Sequence, residues 1–263
     1  MSIELYHNGL SVCSAKVRLC FAEKAQAFES RLLDLRAGDQ QKPDYLKLNP
    51  NAVVPTLIHD GNVIIESNVI AEYIAEVFPG TVLNGADPLM RTRMRVWTKQ
   101  LDEGIHQLTS VITFAIAFRH QLLAKPREDA QRVLNQIPDV ARRERQLDVY
   151  EHGIESTHFA PAIRRFDKML TDMQRTLERG PWLAGRQYTL ADIAFTPYIN
   201  RLDQLQLGFM WDKRPKVADW YARVQARPSF EQAFGSWLDK PVLDSMRDNG
   251  MKAAPRVKAI LAA

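Results

Sequence analysis

Only two cysteines, Cys13 and Cys20, occur in the 263 residues of this chain. That is too few for a disulfide framework or a zinc ligand set, so no metal site is expected, and it fits a free thiol in a reducing compartment. Long hydrophobic runs are missing as well, since no stretch approaches the ~20 apolar residues of a membrane span. Nor does the sequence start with a basic stretch, an apolar core and a small-residue cleavage site. Residues 1–6 are therefore expected to form the first strand of a soluble, cytoplasmic protein. An excess of one charge is also lacking. The isoelectric point is about 9.1, yet 35 Lys and Arg face 31 Asp and Glu, and the two signs interleave in RVWTKQLDE and DVARRERQLDVYEHGIE. Such mixtures are solvated helix faces, so no nucleic-acid partner is expected. No internal repeat or low-complexity tract is present.

What is there is globular: 46% hydrophobic and 25% charged residues, over a length that favours two domains. The chain changes character near residue 80. Before it, the alternating runs IELYH, FESRLLDL, VPTLIHD and NVIIES read as strands, with Asp60-Gly61-Asn62 turning a hairpin between the last two. Two helical patterns lie among them. One repeats Cys13, Val17, Cys20 and Phe21, and the other Val69, Ile70, Tyr73, Ile74, Val77 and Phe78 before Pro79-Gly80 stops it. Strand, helix, strand, a variable stretch, hairpin and helix is the order of a thioredoxin-like α/β domain, here residues 1–80.

A linker over 81–87 leads into an all-helical domain over 88–263, so the fold class is α/β plus all-α. Asp87 before Pro88 is an N-cap with proline at the first helical position. Met94, Trp97, Leu101, Ile105 and Leu108 continue an apolar face toward Leu123, and Pro126 ends it. The charged stretch from Arg127 to Glu155 is expected to be exposed helix and loop. Further helices are expected over 161–177, 190–207 and 216–234. The tail from Leu238 onward receives no assignment. Thr189-Leu190-Ala191-Asp192 is a capping box, in which each side chain satisfies a free N–H of the first helical turn.

An α/β domain with NPNAVVPTL leading into a hairpin and ES opening the next helix, followed by helices carrying YTLADIAF, resembles the glutathione S-transferase family. The likeness runs from Ile3 to about Phe234. Within the family, SVCSAKVRL is similar to the serine classes, and ADPLMRTRMRVWTKQLDE to bacterial enzymes that cleave lignin β-aryl ethers with glutathione. The resemblance implies glutathione as cofactor, a second partner that is a hydrophobic small-molecule electrophile, and a homodimer. In the family the bond matching Val54-Pro55 is cis. An X-Pro bond takes that form at a cost of only ~0.5–1 kcal/mol. The Val54 N–H and C=O can then pair with an extended peptide as a strand would. Glu66 and Ser67, where strand meets helix, suit the zwitterionic γ-glutamyl end: Ser67 is read as the N-cap beside free N–H groups, and Glu66 as charge for the ammonium. Gln40, Gln41 and Lys42 fall where relatives bind the glycyl carboxylate, and which of the three reaches it is left open.

Three side chains ahead of the first helix compete for the thiol chemistry. A free thiol, with pKa ~8.5, is mostly protonated at neutral pH, so catalysis means stabilising the thiolate. Ser11, after Gly9 and ahead of the helix, matches the serine of the serine classes, whose hydroxyl donates to sulfur while the helix end adds favourable potential. Cys13 matches a position that carries cysteine in some bacterial relatives, where it forms a mixed disulfide with glutathione. It also begins the apolar series and reads equally as a small core residue. Ser14 matches the serine of the β-etherase-like enzymes, which lack the Ser11 equivalent. The electrophile is expected between the domains, with Ile112, Phe114 and Phe118 on one wall or in the core. Three functions follow: a glutathione transferase acting on aromatic electrophiles, a thiol-disulfide reductase using Cys13, or a non-catalytic scaffold of the same fold.

Overall fold

The computed structural model describes residues 2–263. Met1, which the sequence places at the start of the first strand, lies outside them. The chain divides into two compact units. The first runs through Thr98 and adds Arg179–Tyr198 and Asp219–Leu238. The second comprises Lys99–Glu178, Ile199–Ala218 and Asp239–Ala263.

The first unit is built on a four-stranded sheet of order β2-β1-β3-β4, from β1 (Ile3–His7), β2 (Glu29–Leu32), β3 (Thr56–His59) and β4 (Asn62–Ile64). β1 pairs parallel to β2, with Leu5 opposite Ser30, and antiparallel to β3, with Leu5 opposite Leu57. Parallel pairing needs a crossover, and α1 (Val12–Glu23) supplies it. The β3–β4 hairpin closes through Asp60 and Gly61, both at positive φ (46° and 81°) as a two-residue turn demands, and Asn62, expected in the turn, opens β4 opposite His59. α2 (Pro43–Leu48) occupies the stretch that the sequence reading had called variable. α3 (Ser67–Val77) buries Ile70, Ala71 and Ile74 while Val69 and Val77 stay exposed.

α1 is covered nearly all round, from Ser14 to Phe21. It packs against α3 and against α12 (Pro228–Phe234). The expected single helix over 216–234 is therefore two, α11 (Pro215–Gln225) and α12, because Pro228 lacks an N–H and pushes Arg227 to an extended ψ of 136°. Glu23, at the end of α1, accepts two bonds of 2.7 Å from Arg227. The capping box is realised at the start of α10 (Leu190–Gln204): Thr189 Oγ1 accepts from the Ala191 N–H at 3.3 Å and Asp192 Oδ2 from the Thr189 N–H at 3.0 Å. Asp192 also accepts from the Leu183 N–H and from Trp220 Nε1, both at 2.9 Å.

The helical run that opens at Pro88 starts as expected, with Asp87 Oδ1 accepting the Met90 N–H at 2.8 Å. It proceeds through α4 (Pro88–Gln100), α5 (His106–Thr113) and α6 (Arg119–Leu123), interrupted by wider five-residue turns at Leu101–Ile105 and Phe114–Phe118. Gly104 sits in the first of these at φ 140°, a backbone state that glycine takes without penalty. The charged stretch forms α7 (Arg127–Asn135) and α8 (Val140–His152), and α9 (Phe159–Leu177) buries Ile163, Phe166, Leu170 and Met173. The unassigned tail is a helix, α13 (Lys240–Ala262), whose Met246, Gly250, Ala253, Val257 and Ile260 are buried. No helix among the described residues is long and apolar enough to cross a membrane.

Candidate active site

The loop between β1 and α1 carries the three competing side chains and separates them by environment. Ser11 is the N-cap of α1, with extended backbone (φ −73°, ψ 123°), and its Oγ accepts the Ser14 N–H at 3.2 Å. A hydroxyl that accepts in this way keeps its own proton to donate. Ser14 is fully buried, and its Oγ takes the Asn8 N–H at 3.3 Å. Cys13 is half-buried, so it is not the core residue that the apolar series suggested. The first turn of α1 carries it at the edge of the packed face, with Sγ 4.0 Å from the Tyr198 hydroxyl. Cys20, wholly buried, has its thiol pushed up to about 12 by desolvation, so it is inert.

Val54-Pro55 is cis, and Val54 and Pro55 are both buried. The preceding carbonyl, on Val53, is taken by the Tyr45 hydroxyl (2.6 Å) and Asn49 Nδ2 (3.0 Å). Among the described residues, no backbone–backbone bond outside the regular elements uses Val54.

The start of α3 corrects one assignment. The cap position belongs to Glu66, exposed and at φ 70°, and Ser67 is the first helical residue. Positive φ in a residue with a Cβ is held only where surrounding structure imposes it, and such residues cluster at functional sites. Ser67, inside the helix, is engaged from below: buried Lys16 donates to its Oγ at 3.0 Å and to Asn68 Oδ1 at 2.6 Å. A cation therefore stands under the N–H groups of this helix end, where the electrostatics favour an anion.

Gln40, Gln41 and Lys42 lie on and after a short turn, Asp39–Gln41. Lys42 Nζ is 2.7 Å from Asp39 Oδ1 and largely exposed. Gln40 Nε2 donates to the Leu35 carbonyl at 3.4 Å, while its Oε1 is buried with no partner. Gln41 is half-buried. In the second unit, Ile112 and Phe114 belong to the core and Phe118 is half-buried. No cluster of three or more metal-ligating side chains exists among the described residues.

Two family models match the chain: Glutathione S-transferase, N-terminal domain, over residues 1–76, and Glutathione S-transferase, C-terminal domain, over residues 140–223. Protein LigF of Sphingobium sp. (strain NBRC 103272 / SYK-6) is 31% identical over 241 residues, 89% of this chain and 93% of LigF. The chain belongs to the glutathione S-transferase family. The crystal structure of β-etherase LigF superposes with a TM-score of 0.80 at 29% identity, covering 90% of this transferase and all of LigF. Tetrachloro-p-hydroquinone reductive dehalogenase of Sphingobium chlorophenolicum is 29% identical over 240 residues, 88% of this transferase and 95% of that protein. The enzyme uses glutathione, and its fold is the four-stranded α/β domain followed by helices that the resemblance implied.

Sequence reasoning missed the cations beneath these loops. Lys16 and Arg18 on α1 and Lys24, the residue that follows it, are all buried in this transferase. Lys24 donates to the carbonyls of Ala75 (2.9 Å) and Phe78 (2.8 Å) at the end of α3. The available signal was their spacing on a helix whose apolar series leaves only a narrow solvent face.

Proposed function

We propose that this transferase holds glutathione on the first unit and presents its thiolate, stabilised by Ser11, to a hydrophobic aromatic electrophile. The observation that carries the choice of Ser11 is its place at the open end of α1, with one lone pair committed to the Ser14 N–H and its proton left to give. Ser14 is sealed beneath the Asn8 backbone. Val54, turned by its cis bond to Pro55, takes the cysteinyl part through its backbone as a strand would. Glu66, Ser67 and the α3 end take the γ-glutamyl group, and Gln40, Gln41 or Lys42 the glycyl carboxylate.

In the reaction, sulfur forms a bond to an electrophilic carbon as that carbon releases its leaving group. For a β-aryl ether the leaving group is a phenolate. LigF, a β-etherase, supports this substrate class, and the dehalogenase supports an aromatic substrate more broadly. We assign residues 1–80 to glutathione and 88–263 to the electrophile. We further propose a cytoplasmic homodimer, which sedimentation as a monomer at micromolar concentration would reject.

The test replaces Ser11 and Cys13 by alanine in turn and follows the thiolate absorbance of bound glutathione against pH. Ser11→Ala should raise the thiol's apparent pKa and cut turnover by roughly one to two decades, the worth of one charge-assisted hydrogen bond of ~1.5–3 kcal/mol. Affinity for glutathione should change less. Cys13→Ala should leave aryl conjugation nearly intact. A second reading, thiol-disulfide reduction through Cys13, is favoured by its half-buried thiol beside Tyr198. It takes over if Ser11→Ala titrates like wild type and Cys13→Ala loses activity.

A further inference from the structure

The carbonyls of the loop that carries Ser11 are gripped from beneath by Arg18. Arg18, one and a half turns along α1, is buried, and its guanidinium spends all three nitrogens on nearby acceptors. Nη1 donates to the Asn8 carbonyl (3.0 Å) and Nη2 to the Gly9 carbonyl (3.1 Å), so two consecutive carbonyls of the loop are gripped by one planar group. Nε donates to the Ala233 carbonyl at 2.8 Å, which ties the same group to α12. Nη1 also lies 3.2 Å from Nδ1 of His7, and because a guanidinium only donates, Nδ1 must accept. His7 then carries its hydrogen on Nε2, directed at Ser30 Oγ 2.8 Å away. A neutral imidazole is what this arrangement requires. Burial, with the neighbouring Arg18 charge second, does lower His7 to about 4.

The loop is confined from the other side by a segment more than 200 residues away in sequence. The Trp237 ring lies 5.4 Å from the Arg18 guanidinium carbon and meets His7 edge-on at 4.8 Å. Its backbone approaches so closely that a Cβ on Gly9 would land on the Trp237 carbonyl oxygen. Residue 9 is glycine because the loop and the segment after α12 touch backbone to backbone.

Resting on the reading that Ser11 stabilises the thiolate, we propose that Arg18 is a positioning residue which, with Gly9 and Trp237, fixes the β1–α1 loop so that the Ser11 hydroxyl is aimed before glutathione arrives. A fork gripping two carbonyls sets the direction of the chain that follows, which a point charge does not. Ser11 follows Gly9 by two residues. The hydroxyl of a loosened loop would spend much of its time away from sulfur, and misplacement by ~1 Å is enough to cost up to roughly a hundredfold.

Two variants disturb the device from opposite sides. Arg18→Lys keeps the charge but loses the fork, and Gly9→Ala keeps Arg18 but forces the loop off Trp237. Each is made alone and in the Ser11→Ala background, with folding checked by circular dichroism. Thiolate absorbance of bound glutathione is titrated, and KM for glutathione is measured beside kcat. Each single variant should lower the thiolate equilibrium constant about five- to fiftyfold while KM changes less than about threefold, and in the Ser11→Ala background the further change should be under about twofold. A merely structural role would leave the titration where it is. If Ser11→Ala shifts the titration and the folded variants do not, or if their shifts multiply in full with that of Ser11→Ala, the proposal is overturned while the Ser11 reading stands. If Ser11→Ala itself leaves the titration unmoved, the reading fails and the proposal with it. Should Arg18→Lys not fold, Gly9→Ala decides by the same criteria.

Discussion

Asp192→Ala should destabilise the protein more in acid than at neutrality, the reverse of what a surface ion pair shows. The carboxylate is fully buried and accepts from three N–H groups, those of Leu183, Thr189 and Trp220. Alanine leaves all three donors without that acceptor. At about 1–3 kcal/mol each the loss is at least ~3 kcal/mol, a large part of a typical total of about 5–15 kcal/mol. At neutral pH part of it is offset, because desolvation raises the Asp192 carboxyl from 3.8 to about 6 and ionising it there is costly. Between about 3.8 and 6 the folded state therefore keeps a proton that the unfolded state has already released. The stabilisation linked to this proton is complete below about 3.8 and disappears as pH rises through about 6. The variant has no such group, so the difference from wild type should be larger at pH ~4 than at pH ~7 by about 2 kcal/mol. Urea unfolding of both proteins across that range measures it directly. A difference that shrinks on acidification, or that stays under about 1 kcal/mol at every pH, would refute the argument.

His7 works in the opposite sense. Its folded pKa of about 4 lies below the ordinary 6.5, so the stability it contributes is complete above 6.5 and is lost as pH falls through about 4. His7→Gln should remove up to about 3 kcal/mol of that pH dependence, and equal slopes in the two proteins would contradict it. Gly250→Ala ought by helix propensity to stabilise α13 by about 1 kcal/mol. Here the new Cβ would fall on the Leu205 carbonyl oxygen, so a loss of about 2 kcal/mol or more is expected in thermal unfolding.

Those features that local chemistry dictates were legible in the sequence. Asp60-Gly61 turns the hairpin because both positions need positive φ, and Asp87 and Thr189 cap because their side chains reach N–H groups within three residues. Features that depend on distant chain were not. The buried stripe of α13 includes Gly250 and Ala253, and Gly250 is placed by its close approach to the Leu205 backbone and not by hydrophobicity. Ser67 looked like a cap because nothing in ES announces that Glu66 takes a positive φ and holds the cap position one residue earlier. Nothing in the sequence announces the burial of Arg18 either, because its acceptor at Ala233 is 215 residues away.

The patchwork of the first unit bears on how the protein is made. Its sheet and α1 leave the ribosome well before the segment that packs on α1, within Asp219–Leu238. At ~5–20 residues per second, roughly 10–40 s separate the two. Through that interval Arg18 lacks its Ala233 carbonyl and Glu23 its Arg227 partner, and the side of α1 that packs on α12 stays uncovered while the other rests on α3. A nascent chain in this state is a natural client for chaperones that shield exposed helices. A fragment ending before Asp219 should keep Arg18 and Glu23 without these partners, so the glutathione half of this enzyme is completed by chain made long after its last strand and helix.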